Sequence, residues 1–245
     1  MSVDAAREFT EDAYRDLVRL ARERYAFLAF PDAEAATAGV LWRHDLDVSV
    51  HRALALARIE SAEGVTATYF VHLHSRFYNA FEDTIVERLR AIVALGHHVG
   101  LHFESHFVPA MGPSLEEAVA AEAGIVATLC GASVTAVSFH DPDVAGSTVA
   151  DADRIAGLVN ASGRSLRARF GYASDSNGYW RHTPIPVEIT SGRHLRLQVL
   201  THPEWWVPEP MPPRARIARA IDGRAAAMAA RYDAAMTTVA RENRR

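Results

Sequence analysis

A chain of 245 residues that is 49% apolar is long enough for one large α/β domain with a sizeable core. Its 26 basic and 30 acidic side chains leave a net charge of −4, which argues against a phosphate-neutralising grip on nucleic acid. Twelve histidines beside a single cysteine, Cys130, rule out an internal disulfide and make histidine the compositional oddity.

The first segment, MSVDAAREFTEDAYRDL, is charged throughout, and eighteen apolar residues never run together. The expectation is a cytoplasmic protein with no membrane span. From Glu11 to Tyr25 the spacing of Tyr14, Leu17, Val18 and Ala21 predicts an amphipathic helix. Ala38 to Trp42 reads as a buried strand that stops at a loop, Arg43-His44-Asp45-Leu46-Asp47. A helix follows over Val50 to Glu63, with Ser49 as N-cap and Gly64 ending it. Thr66 to Val71 is a strand running into His72 and His74, and Phe81 to Leu95 a helix stopped by Gly96.

The stretch GHHVGLHFESH comes next, with a strand over His98 to Leu101 and histidines at 98, 102 and 106. Ser114 with Glu117 forms a capping-box signature for a helix to Leu129, and Cys130 at its end reads as a buried bystander. Val134 to Phe139 is a strand leading to His140. Further expectations are a helix near Val149 to Asn160, short strands near Arg169 to Tyr172 and Pro186 to Ile189, and a firmer strand from Leu195 to Leu200. From Pro213 onward, Ile217, Ile221, Met228, Tyr232 and Val239 form one helical stripe, which predicts a C-terminal helix docking on the body or on a second copy of the chain as a homo-oligomer. Neither repeat nor linker interrupts the chain, so residues 1–245 read as a single domain.

Alternating strands and helices imply a mainly parallel sheet with right-handed crossovers, open or closed into a barrel. The polar residues favour a barrel. His44, Asp45, Asp47, His72, His74, His102, His106, His140, Asp175 and His202 all follow strands, and loops at the carboxyl ends of parallel strands collect on one face.

Asp45 and Asp47 sit two apart, so in an extended segment they point the same way. Near a cation, one can bind the ion while the other works as a base. If the turn after Gly100 is helical, His102 and His106 share a face with Cβ atoms roughly 5–6 Å apart, close enough for one ion. Two imidazoles and a carboxylate leave open positions on zinc or a similar ion, an arrangement that activates water and polarises a carbonyl. His98 joins the site or avoids it according to the side of its strand. His44 and His97 read as structural.

The loop HDLD, the segment GHHVGLHFESH, the stretch YASDSNGYW and the segment LQVLTHPEWW, in this order, resemble the polysaccharide deacetylase family, the NodB-homology or carbohydrate esterase family 4 fold, over about Val40 to Trp206. The resemblance implies a distorted (β/α) barrel of about seven strands, here with a C-terminal helical extension. It implies Asp47, His102 and His106 as metal ligands, Asp45 as catalytic base, His202 as general acid, Asp175 as the carboxylate orienting it, and Trp180 as an aromatic wall. The ion implied is divalent, zinc first, with cobalt, nickel or manganese as alternatives. The chain departs from the family where an arginine usually holds the base: that place reads SFHDP, so His140, Asp141 or one of Arg43, Arg167 and Arg169 takes the role. His72, His74 and His140 are expected to border the pocket as substrate-binding groups. Trp205, with Trp206, offers either a stacking face for a sugar ring or a core anchor.

The expected activity is metal-dependent removal of an N-acyl group, acetyl first, from an amino sugar, a glycan precursor or a related small molecule. The alternatives are an O-acyl esterase or deformylase on the same fold, or a metal-containing barrel that binds a glycan without turnover.

Overall fold

The computed structural model of the chain describes residues 8–107, 114–140 and 151–239. Helix α1 (Glu11–Arg22) and the short strand β1 (Phe27–Leu28) precede the alternation of β2 (Gly39–Leu46), α2 (Val50–Ala62), β3 (Thr68–Val71), α3 (Asp83–Ala94), β4 (His98–Glu104), α4 (Leu115–Cys130) and β5 (Val134–His140). After them come β6 (Arg154–Ile155), β7 (Leu158–Asn160), α5 (Arg164–Arg169), β8 (Gly171–Ser174), α6 (Ile185–Ser191), β9 (Arg196–Thr201) and α7 (Pro213–Thr238). Capping is local and sequence-encoded: Thr10 and Ser49 accept N–H bonds at the starts of α1 and α2, and Ser114 with Glu117 closes the capping box of α4.

The strands form one curled sheet in the order β6-β7-β5-β4-β3-β2-β9-β8, with β1 added to the start of β2. All pairs are parallel except β6 with β7. Among the described residues nine strands take part, two of them (β1 and β6) only two residues long, and the sheet curls into a half-barrel of the distorted (β/α) type.

Strand alternation divides the interior into two cores. Trp42, Leu46, Tyr69, Val71, Leu101 and Phe103 face the helices, in the larger cluster. Leu41, Phe70 and Ala136 face the concave side, joined there by Phe30, Leu166 and Phe170. The concave face at residue 41 carries forward by twos to Arg43, Asp45 and Asp47; at residue 70 to His72; and at residue 136 to Ser138 and His140. On β4 the concave residue is Gly100, where a Cβ would collide with the Phe70 ring, and the same face holds His102 and Glu104.

Several elements differ from the sequence expectation. Strand β2 does not stop at Trp42 but runs through His44 and Asp45 to Leu46, all buried, so the expected loop is strand up to its last residue. Strand β4 likewise continues past Leu101 to Glu104, so the helical turn expected after Gly100 is only the short 3-10 turn Ser105–Phe107, beyond His102. In the region expected to be helical near Val149 to Asn160, the described residues form the β6–β7 hairpin. Its two turn residues, Ala156 and Gly157, both have positive φ (51° and 77°), the geometry a two-residue hairpin loop needs. The expected strand at Pro186 to Ile189 is helix α6: Pro184 and Pro186 suit a helix start, and Ile185, Glu188 and Ile189 are buried at helical spacing.

The C-terminal helix exists, but of the expected stripe only Ile217 packs against the core of the body. Ile221, Met228, Tyr232 and Val239 are 47–57% exposed. What docks is the first part, through buried Arg216, whose guanidinium lies over the Phe9 ring at 5.3 Å, and through the Arg224–Glu82 ion pair. A helix of 26 residues is about 39 Å long, and its second half extends past this contact. No helix among the described residues is long and apolar enough to cross a membrane.

Candidate active site

The carboxyl ends of β2, β3, β4, β5 and β9 bring a polar cluster to one mouth of the half-barrel. A cavity of about 760 Å³ opens beside it, lined by Arg43, Asp45, Asp47, His102, His140 and His202 together with Tyr172, Asn177, Gln198 and Arg167. That volume suits a small-molecule ligand.

Asp45 is 2% exposed. Its Oδ2 accepts from Arg43 Nη2 at 3.0 Å, and its Oδ1 accepts from the Ser138 hydroxyl at 3.4 Å. Arg43, two residues earlier on the same face of β2, thus holds the candidate base. It packs its guanidinium over Phe70 at 5.5 Å, while Nε and Nη1 are buried without a hydrogen-bond partner. Of the arginines left open by the sequence, this is the one beside Asp45. Arg167 pairs with Asp151, Arg169 donates to the backbone of Ser165 and Glu34, and Asp141 lies outside the described residues.

Asp47 follows β2. Its Oδ1 lies 3.1 Å from His102 Nε2 and 3.9 Å from His72 Nδ1, and its Oδ2 lies 3.7 Å from His202 Nε2. Burial opposes ionisation of Asp47, but His102 above all, with His202 and His140, holds it well below the usual carboxylate range. His102 Nδ1 is 2.7 Å from the Ser138 hydroxyl. Because that hydroxyl donates to Asp45, it accepts from Nδ1–H; Nε2 then faces Asp47, as a donor when the ring is charged and with a free lone pair for a metal when it is neutral. His102 is buried, which disfavours its charge, yet Asp45 and Asp47 together raise its pKa.

His202 follows β9, and its Nδ1 lies 2.7 Å from Asp175 Oδ1. The other Asp175 oxygen accepts from the His202 backbone N–H at 2.7 Å and from Trp206 Nε1 at 3.0 Å. Burial would lower the His202 pKa, but the Asp175 charge and hydrogen bond outweigh it and raise the value to about 10.

His106 is not among the residues that line the cavity. It is exposed in the turn Ser105–Phe107, and its backbone N–H donates to Glu104 Oε1 at 3.2 Å. Since β4 extends to Glu104, residues 102 and 106 do not share a helix face. His98 is exposed at the opposite end of β4 from His102. His72 and His140 do border the cluster, whereas His74 turns away to Glu122 at 2.7 Å. Trp180 packs on Phe9 and Trp206, and Trp205 is 8% exposed in the core; neither lines the cavity. His44 and His97 are structural: His97 accepts from the Ala67 N–H and donates to the Ala57 carbonyl. Burial pushes the Cys130 thiol up to about 12, in keeping with an inert side chain.

Two members of the cluster were not singled out from the sequence: Glu104 and Ser138. Glu104 Oε2 lies 3.1 Å from His140 Nδ1 and 3.5 Å from His72 Nε2. One donor atom from each of His72, Glu104 and His140 lies within 4.8 Å of the others, so the three could hold a metal ion. The signal for Glu104 was the period-two pattern His98, Gly100, His102, Glu104, visible once β4 is read to its true end, and for Ser138 the alternation Ala136, Ser138, His140 on β5.

The donor set fits a divalent cation. Asp47 Oδ1 and both ring nitrogens of His72 are buried without hydrogen-bond partners. Burial, with a smaller push from His102, lowers the His72 pKa to about 4, so its imidazole is neutral at pH 7 and able to ligate. Buried polar groups left unpaired cost free energy unless something binds them.

No family model matches the chain, and no curated protein matches it either. Solved structures do. Among them is a family 4 carbohydrate esterase from Streptomyces lividans in complex with acetate, at 19% identity and a TM-score of 0.38, covering 77% of this chain and 90% of that one. A family 4 acetyl xylan esterase from Clostridium thermocellum in complex with a cobalt ion matches at 15% identity and 0.38, over 76% and 84% of the two chains. A Streptococcus pyogenes deacetylase in complex with acetate matches at 14% identity and 0.41, over 86% of each chain.

Proposed function

We propose that the protein is a metal-dependent hydrolase that removes an N-acyl group, acetyl first, from an amino sugar or a related small molecule. The observation that supports the reading is that two groups with separate partners line one cavity: Asp45 held by Arg43, and His202 held by Asp175, with Asp47 and His102 beside them. A binding barrel needs neither a base nor an acid.

Asp47 and His102, with His106 after them in the chain, are the proposed ligands of a divalent ion, zinc first and cobalt, nickel or manganese as alternatives. When bound, that ion polarises the acyl carbonyl and makes water acidic enough to attack at neutral pH. Asp45 takes a proton from the attacking water, and the Arg43 hydrogen bond holds its carboxylate in place for that step. The developing oxyanion needs donors, and the unpartnered Nε and Nη1 of Arg43 are the buried donors beside the cavity. The C–N bond breaks only as the nitrogen gains a proton; His202, cationic against Asp175, supplies it, and the products are the free amine and the carboxylic acid.

The test is to incubate metal-loaded protein with a panel of N-acetyl sugars and nucleotide sugars and to measure free amine and acetate separately. Equal release of both supports amide hydrolysis. Acetate without amine from O-acetylated substrates alone would replace it with an esterase. A protein that binds no stoichiometric divalent metal and gains no activity with zinc, cobalt or nickel overturns the reading.

A further inference from the structure

We propose that a divalent cation of the zinc type binds between His72, Glu104 and His140, separately from the ion assigned to Asp47 and His102. The His72 ring stands between two groups of donors. Its Nδ1 edge faces Asp47 Oδ1 at 3.9 Å, and its Nε2 edge faces Glu104 Oε2 at 3.5 Å. On that second edge, Glu104 Oε2 also meets His140 Nδ1 at 3.1 Å, completing two nitrogens and one oxygen around a common point.

A plain His140–Glu104 ion pair does not account for the arrangement. It would leave His72, which is 4% exposed, with both nitrogens unpartnered inside the protein, where a hydrogen-bonded cluster would satisfy them. The three side chains also come from three adjacent parallel strands, with His72 just past β3, Glu104 ending β4 and His140 ending β5. Backbone pairing of Glu104 with His140 fixes two of them in register. The Ser105 hydroxyl donates to the His140 carbonyl at 2.7 Å and secures the end of β5. The site is therefore built by the sheet and not by a chance meeting of surface side chains.

Two imidazoles and one carboxylate, with positions left open, match zinc or cobalt and do not match the all-oxygen shells that calcium and magnesium take. His140 also lines the cavity, so a cation there would offer an oxygen of the substrate a second point of attachment.

The experiment is metal counting on chelator-stripped full-length protein titrated with zinc, by calorimetry and by elemental analysis after dialysis, with Glu104→Gln, His140→Asn and Asp47→Asn measured alongside wild type. The expected result is two zinc equivalents for wild type and one for each variant. The weakened site should lose at least the roughly 10–100-fold in affinity that even outer-shell changes cost. Magnesium and calcium should not occupy the site. Glu104→Gln is nearly isosteric and His140 is only half-buried, so both variants should keep the wild-type circular dichroism spectrum. If Glu104→Gln and His140→Asn retain the wild-type stoichiometry and affinity, the proposal is overturned while the Asp47–His102 assignment stands. If they lose an ion that Asp47→Asn keeps, and wild type holds one equivalent only, the new site stands and that assignment falls. Failure of wild type to bind zinc overturns both.

Discussion

The two faces of β2 are both polar and buried, and they are treated in opposite ways. On the face toward the helices, His44 Nε2 lies 2.6 Å from Glu60 Oε1 and its Nδ1 lies 2.7 Å from the Thr201 hydroxyl. Glu60 also accepts from the Tyr14 hydroxyl and, at 2.6 Å, from the Tyr69 hydroxyl, while Trp42 Nε1 donates to Tyr14 at 2.9 Å. Both carboxylate oxygens and both ring nitrogens are paired, so this network belongs to the fold. On the concave face, Arg43, Asp47 and neighbouring His72 keep buried polar atoms without partners. A satisfied network locks β2 against β3, β9 and the helices; an unsatisfied one waits for a ligand. The same strand thus separates stability from chemistry by residue parity.

The sharpest way to break that comparison is substitution at alternate positions. Asp45→Asn, on the concave face, should lower turnover by about 10²–10⁴-fold while leaving bound metal and thermal stability near wild type, as read by steady-state kinetics and metal content. Glu60→Ala, on the other face, should do the reverse: it leaves Tyr69 and His44 facing a hole and should cost about 3–5 kcal/mol of stability in urea unfolding. Arg43→Met leaves Asp45 buried without its cation and should lower turnover by roughly tenfold to a hundredfold, more than Arg43→Lys, which keeps a positive charge there. Should Glu60→Ala instead abolish turnover in protein of unchanged stability, the division by faces would be wrong.

A smaller effect concerns pH. Burial would raise the Glu60 pKa, but His44 first, then His97 and Tyr14, bring it below the ordinary value. A carboxyl depressed in the folded state adds stability that is fully present above its unfolded value, about 4.3, and lost as pH falls through the folded value. The stability gap between wild type and Glu60→Gln should accordingly be widest near neutral pH and shrink below about pH 4, as followed by urea unfolding across a pH series. Smallest of all, Tyr69→Phe removes one hydrogen bond to that charged acceptor and should cost about 1.5–3 kcal/mol with kinetics unchanged.

Much of this was legible in the chain. The alternation from β2 to β5, the caps at Ser49 and Ser114, and the gathering of Asp45, Asp47, His102 and His202 at one end all follow from patterns that span a few residues. Where the reading failed, short segments needed tertiary contacts to settle them. The hydrophobic run at Pro186 to Ile189 is as compatible with a strand as with a buried helix turn, and only packing against the body makes it α6. The C-terminal stripe had the right period but no partner on the body for most of its length.

Composition, period and spacing by themselves determined the class of fold and the gathering of the candidate polar residues at one end of the strands, because strand parity and the common direction of parallel strands act through local geometry; which of them serve as acid and base came from the family resemblance. Only the tertiary structure decided that Arg43 holds Asp45, that β4 extends to Glu104 with His106 in the turn beyond it, and that His72, Glu104 and His140 converge. Those outcomes depend on where three strands end relative to one another, and the register between strands is fixed by packing across the sheet rather than by any single segment.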